Sequence, residues 1–196
     1  MPTSTRSRKT PTASGSAEAL AKLEPLPENL FRVPVDLLLT DHYRQTLVSE
    51  ALSAIVTAPH AAGTPARAEK IAHFLESDLV HHMNDEEEAL GTRLLACARE
   101  EDGVPLLLAR LRREHAAIRE TATAVQTGLE TLAVRRRLPD PGTFAAKAET
   151  LVAAVRATIA WQNRLLLPLA RRRLGNADLW SLGQTMATRR GISFPA

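Results

Sequence analysis

Two stretches of this chain share a spacing but differ in the chemistry placed on it. Leu75, Leu79, His82 and Glu86 are separated by 4, 3 and 4 residues, and Leu151, Val155, Thr158 and Gln162 repeat that order. The first stretch ends in His-x-x-x-Glu and the second in Thr-x-x-x-Gln. An imidazole and a carboxylate one helical turn apart lie on one face and can reach a shared ion. A hydroxyl and an amide in the same places are neutral and bind metals poorly. The pattern is that of a metal site with one half edited out.

Helical periodicity adds two more imidazoles. Apolar residues stepping by 3 or 4 define an inward stripe on each of four segments. The first carries Leu38, His42, Gln45, Val48, Leu52 and Ile55, and the second Leu75, Leu79, His82, Glu86 and Ala89. On the third lie Leu108, Leu111, His115, Ile118, Ala122, Val125, Leu129 and Leu132. The fourth carries Leu151, Val155, Thr158, Gln162, Leu165 and Leu169. A buried His or Glu needs a partner, and a metal ion supplies one. His42, His82, Glu86 and His115 together offer three imidazoles and one carboxylate. That set suits zinc, iron or a similar divalent ion rather than calcium or magnesium, which want oxygen ligands.

Pro and Gly punctuate these segments. The first runs from about Pro34 to Thr57 and opens on a Pro suited to a first helical turn. Pro59, Gly63 and Pro65 mark a loop, and the second segment covers about Ala66 to Glu101, with Gly91 as a possible bend. The third spans about Val104 to Arg136. After Pro139, Pro141 and Gly142 the fourth spans about Thr143 to Leu174, with Pro168 kinking its end and Gly175 as a C′ residue. Asn176 then caps a short fifth helix to about Arg190. Long helices joined by short loops predict an all-α fold: an up-down-up-down four-helix bundle over 26–196, with a short C-terminal helix. Residues 1–25 are expected to form a disordered basic tail.

His42 in Asp-His-Tyr-Arg-Gln, the His82-to-Glu86 unit in His-Met-Asn-Asp-Glu-Glu-Glu, Glu114-His115 and the Leu165-Leu-Leu-Pro168-Leu-Ala run resemble the bacterial hemerythrin-like, or HHE, cation-binding domain. The segment from Leu182 to Gly191 resembles one that follows the bundle in some bacterial members. The resemblance covers roughly 26–195. It implies a four-helix bundle around a non-haem di-iron centre that handles O2, related small oxidants or iron itself. The family's ligand order is His, His-x-x-x-Glu, His, His-x-x-x-Glu. Its first four ligands match His42, His82, Glu86 and His115; the last two fall on Thr158 and Gln162.

That departure removes one imidazole and one bridging carboxylate. One divalent ion against the single carboxylate of Glu86 leaves a charge of about +1, whereas two would leave about +3. A reduced, mononuclear iron or zinc site is therefore the expectation. A metal-free bundle acting as a structural or protein-interaction module is the alternative, with Thr158 and Gln162 bonding the buried His and Glu. An oxidase-like enzyme ranks last, because no substrate pocket is marked. Among other residues, Tyr43 and Gln45 are candidate weak oxygen ligands. Asp85, Glu87 and Glu88 read as a solvated acidic face and Arg119 as a solvated cation; His60, His73 and His81 are left out of the site.

Composition bounds the rest. With 196 residues, 44% of them hydrophobic, the chain can bury one sizeable core. No apolar run approaches the ~20 residues that span a membrane. No secretory h-region stands at the N-terminus, and Cys97 is the only cysteine, which fits a reducing cytoplasm and excludes an intramolecular disulfide. The net charge is +3. Arg clusters at 135–137, 171–173 and 189–190 lack a nucleic-acid motif and are assigned to helix C-termini, where cations complement the helix dipole.

Overall fold

The computed structural model describes Leu20, Leu23 and residues 25–194. A 3-10 turn, Glu28–Arg32, leads into α1 (Pro34–Thr57). A second rod follows in pieces: α2 (Thr64–Glu76), α3 (Asp78–Asn84), a π-helical turn (Asp85–Leu90) and α4 (Gly91–Cys97). The third rod is α5 (Val104–Arg135). The fourth consists of α6 (Pro141–Trp161), a second π turn (Gln162–Leu166) and α7 (Leu167–Arg173). Helix α8 (Asn176–Arg189) is the last described helix, and no strand occurs among the described residues. No helix among them is long and apolar enough to cross a membrane.

The local chemistry accounts for the boundaries. Pro34 sits in the first turn of α1, where its missing N–H costs nothing. Gly63, at φ +75°, and Gly103, at φ +60°, supply left-handed entries to α2 and α5. Asp140 caps α6 by accepting the Thr143 N–H at 2.9 Å and its hydroxyl at 2.7 Å, so this helix starts earlier than the sequence pattern suggested. Arg136, at φ 55°, terminates α5 by donating its N–H to the Leu132 carbonyl at 3.0 Å. Gly175 does not end a helix in the left-handed form: it is extended (φ −81°, ψ 174°) and opens α8. The Asp178 carboxylate, not Asn176, accepts the Gly175 N–H, at 3.0 Å.

Helix α2 packs on α5, α5 on α6, α6 on α1 and α1 on α2, which closes a ring of rods into a helical bundle. Its interior holds two apolar clusters. One gathers Val48, Leu52, Ile55, Ile71, Leu75, Val125, Leu129 and Leu151. The other gathers Phe31, Leu38, Leu90, Leu94, Leu108, Leu111, Leu166 and Leu182. Buried polar residues on all four rods (His42, His82, Glu86, His115 and Gln162) fall where the two clusters adjoin along the chain. Of the expected tail, Leu20 is buried and Leu23 packs against the first cluster; the remainder lies outside the described residues, Pro25 apart.

The inward stripes hold with one exception. Leu165 is 51% exposed, while Leu166 is fully buried. The π turn inserts an extra residue after Gln162, so the inward position moves from three residues on to four. Pro168 lies just beyond, and its lack of an N–H removes the ordinary α-helical bond to the carbonyl four residues back. The second rod has its π turn at the matching place, around Glu86. Gly91 does not break the rod; a Cβ there would meet Leu108 at 3.2 Å and the Glu86 carbonyl oxygen at 3.3 Å. The turn passes close to α5 here.

Candidate metal centre

Glu86 is fully buried, and three imidazoles surround it. Its Oε1 lies 3.4 Å from His42 Nε2. Its Oε2 lies 3.5 Å from His82 Nε2 and 3.3 Å from His115 Nε2. The His42 and His82 rings meet edge to face with centroids 4.9 Å apart. Ligand-capable atoms of His42, His82 and Glu86 all fall within 4.8 Å of one another, a cluster that could hold a metal ion. His115 approaches from the Oε2 side and stands outside that close trio.

Gln162 occupies the same side. Its Nε2 donates to Glu86 Oε2 at 2.5 Å and lies 3.3 Å from His115 Nε2. The two carboxylate oxygens are therefore unequal. Oε2 is satisfied by protein, whereas Oε1 and the facing His42 Nε2 have no hydrogen-bond partner among the described residues. Buried polar atoms are rarely left so. A cation between them would satisfy both, and the donor set fits that role.

An outer layer orients the imidazoles. Asn163 Oδ1 lies 2.6 Å from His42 Nδ1. Glu87 Oε1 lies 2.9 Å from His115 Nδ1 and accepts from Arg119 at 2.8 Å, and Arg119 also donates to Asn84 Oδ1 at 2.9 Å. Asp41 Oδ2 stands 3.7 Å from His82 Nδ1, while its Oδ1 accepts from Arg44 at 2.8 Å. Carboxylate or amide oxygens behind the ring nitrogens are the usual means of fixing a ligand imidazole's tautomer and orientation.

The electrostatics follow from this crowding. Burial alone would favour neutral His82, yet the charge of Glu86 and the contacts with Asp41 and Glu86 push its pKa up to about 10. Burial would raise Glu86, but the positive charge of His82 and the close imidazoles of His115 and His42 hold it well below the usual carboxylate range. His115 is raised despite its burial, through Glu86 and Glu87. Asp41 is lowered against its burial by His82 and Arg44. The metal-free centre is thus a buried ion cluster, with a proton where a metal charge would sit.

Several expectations change here. The structure brings His42, His82 and His115 around the Glu86 carboxylate. Thr158 is buried, but its hydroxyl donates to Glu114 Oε2 at 2.8 Å, away from Glu86. Trp161 Nε1 and Arg110 also bond Glu114, at 2.6 and 2.7 Å, so a separate network holds the place of the lost imidazole. Tyr43 is 58% exposed, and Gln45 lines an apolar cavity of about 10 Å³ beside Val48, Leu79 and Val155. Asp85 is not solvated: it is fully buried and paired with Arg189 and Arg190. Glu87 and Arg119 support His115, while Glu88 alone of that acidic run stays exposed. His60 and His73 are exposed and His81 is half-buried, all outside the trio.

Sequence reasoning missed Asp41, Asn163, Glu87 and Arg190. Asp41, Asn163 and Glu87 each adjoin a stripe residue (His42, Gln162 and Glu86), about 100° round the helix from it. The available signal was a polar residue flanking each inward polar one.

No curated protein and no solved structure gives a significant match. A model of the hemerythrin HHE cation-binding domain matches residues 33–170, well over half of the chain. That span contains the whole His/Glu cluster, and the chain belongs to the hemerythrin HHE cation-binding domain family.

Proposed function

We propose that this protein holds a single non-haem metal ion, iron or zinc, between His42, His82 and Glu86, with His115 as the adjacent fourth donor. Two imidazoles and one carboxylate form the donor set with which non-haem Fe(II) is held while coordination positions stay open. Three protein donors and one open position also suit reactive zinc. An open position would admit O2 or a related small oxidant. The observation carrying this reading is the pair of unpartnered buried atoms, His42 Nε2 and Glu86 Oε1, 3.4 Å apart. The Gln162 amide on Oε2 argues against a second ion, because its N–H points where that ion would need an anion. We also propose an up-down-up-down course. It is supported by the order in which α1 and α5 meet the two apolar clusters, opposite to that of the second and fourth rods.

The test is an anaerobic Fe(II) titration, repeated with Zn(II), of metal-stripped wild type, His42→Ala and Glu86→Gln. The expected result is one ion per chain in the wild type and at least a roughly 100-fold loss in Glu86→Gln. Glu86→Gln binding as well as wild type would contradict the assignment. The alternative, a metal-free interaction module, draws on the same Gln162 contact, which satisfies Oε2 within the protein. A wild type that takes up neither metal would favour it.

A further inference from the structure

The chain beyond residue 170, where the family match ends, is docked against the centre. Helix α8 buries Leu182, Met186 and Ala187 completely. It passes so close to the Glu28–Arg32 turn that a Cβ on Gly183 would stand 1.9 Å from the Phe31 carbonyl oxygen. Arg93 ties its middle through Ser181 Oγ at 2.7 Å and Thr185 Oγ1 at 3.0 Å. At its end Arg189 donates to Asp85 Oδ1 and Glu88 Oε2, both at 2.9 Å. Arg190 Nη1 donates to Asp85 Oδ2 at 2.5 Å, and its guanidinium lies 5.7 Å from the centroid of the Phe31 ring.

The second arm of the Arg190 fork points elsewhere. Its Nη2 is 3.6 Å from Asp41 Oδ2, the oxygen that stands 3.7 Å from His82 Nδ1. All three atoms are buried and have no hydrogen-bond partner among the described residues. They form a row of donor, acceptor and donor, each gap a few tenths of an ångström beyond hydrogen-bond range. Asp41 Oδ1 is already held by Arg44. The freedom of Asp41 to close on His82 is therefore set by Arg44 on one side and the C-terminal segment on the other.

We propose that Arg190 is a positioning residue of the metal centre. It braces Asp41 Oδ2 against His82 Nδ1, so that docking of α8 and metal binding at His82 favour each other. The proposal rests on the reading of His82 as a ligand. A ligand imidazole coordinates well when its other N–H is held by a fixed acceptor. A bare cation near the centre would act oppositely, repelling the metal. The fork decides between these: the Nη1 charge is met by Asp85, while Nη2 is aimed at Asp41. By reciprocity, whatever factor α8 docking adds to metal affinity, the metal adds to α8 docking.

The experiment measures Zn(II) affinity of the metal-free full chain by competition with a chromophoric chelator. Variants are Arg190→Met, Arg190→Lys, Arg189→Met and Asp41→Asn; hydrogen exchange of 176–189 is followed with and without Zn(II). Arg190→Met and Asp41→Asn should each bind about 10–100-fold more weakly, with partial rescue in Arg190→Lys. Arg189 ties α8 to Asp85 and Glu88 but does not touch Asp41, so Arg189→Met should lose much less affinity than Arg190→Met. Zinc should slow exchange in α8 of the wild type and not of Arg190→Met. Arg190→Met binding as tightly as wild type, or more tightly, overturns the proposal, as does an equal loss in Arg189→Met. If Arg190→Met does not fold, Asp41→Asn decides: undiminished affinity overturns the brace. A wild type that binds no zinc removes the metal-site reading and this proposal together. A wild type that binds, with Arg190→Met unaffected, removes this proposal alone.

Discussion

Acid should empty the centre, because protons and metal compete for the same buried imidazole. In the metal-free protein burial disfavours charge on His82, but Glu86 and Asp41 push its pKa up to about 10. A metal at His82 Nε2 must displace that proton. At about pH 7 the solution lies about three pH units below that value, so proton competition weakens binding by about 10³ relative to its alkaline limit. Affinity should rise about tenfold per pH unit through the neutral range, and more steeply where His115, also raised, still carries a proton. The assay is calorimetric Zn(II) titration in two buffers of different ionisation enthalpy, which counts the protons released. At least one proton per zinc is expected. Zinc binding without proton release, and with an affinity independent of pH, would refute the reasoning. The same shifts set the stability of the metal-free protein. His82 is raised from 6.5, so its contribution is fully present below that value and is lost as pH climbs through about 10. Glu86 is lowered from 4.5, so its contribution is present above that value and is lost as pH falls through its depressed pKa. Metal-free stability should therefore peak between these limits and decline on the alkaline side sooner than that of the loaded protein.

Further consequences concern the edited half-site and the frame around it. Thr158→His with Gln162→Glu should raise iron loading toward two per chain by elemental analysis; no gain would mean that these positions do not complete a second site. Gln162→Glu alone should tighten the first ion, because it replaces an N–H donor beside Glu86 Oε2 with a second anion. Leu166→Ala should cost about 2–5 kcal/mol in urea unfolding, as for a fully buried leucine. Leu165→Ala should stay within about 0.5 kcal/mol, and the reverse order would mean that the π turn is absent. Gly183→Ala should cost about 3 kcal/mol or more in thermal unfolding, because its methyl would strike the Phe31 backbone rather than a movable side chain.

The candidate ligands were legible because type and period coincide. His42, His82, Glu86 and His115 are polar residues on otherwise apolar stripes, and the bundle interior places the three imidazoles around the Glu86 carboxylate. Leu165 was misplaced because an extra residue in a π turn breaks a 3.6-residue count. Period alone cannot reveal such a turn, although Pro168 just beyond it is a cue. Thr158 sits inside, as its period requires, but a short side chain takes the nearest acceptor, and that is Glu114. Asp41, Asn163 and Glu87 occupy positions that the period assigns to the flank of a stripe; only packing shows that the flank is covered. Arg189 and Arg190 read as a helix-end charge cluster, which they are. Their partners Asp85 and Asp41 are set by how α8 docks, a long-range fact that no local pattern carries.

The unpaired His42–Glu86 face is proposed to hold one ion. The measurement is metal content per chain, by elemental analysis of protein purified without added metal and again after anaerobic reconstitution with Fe(II), beside Glu86→Gln treated identically. About one iron or zinc per wild-type chain is expected, and almost none in the variant. Two ions per wild-type chain, or none after reconstitution, would contradict it.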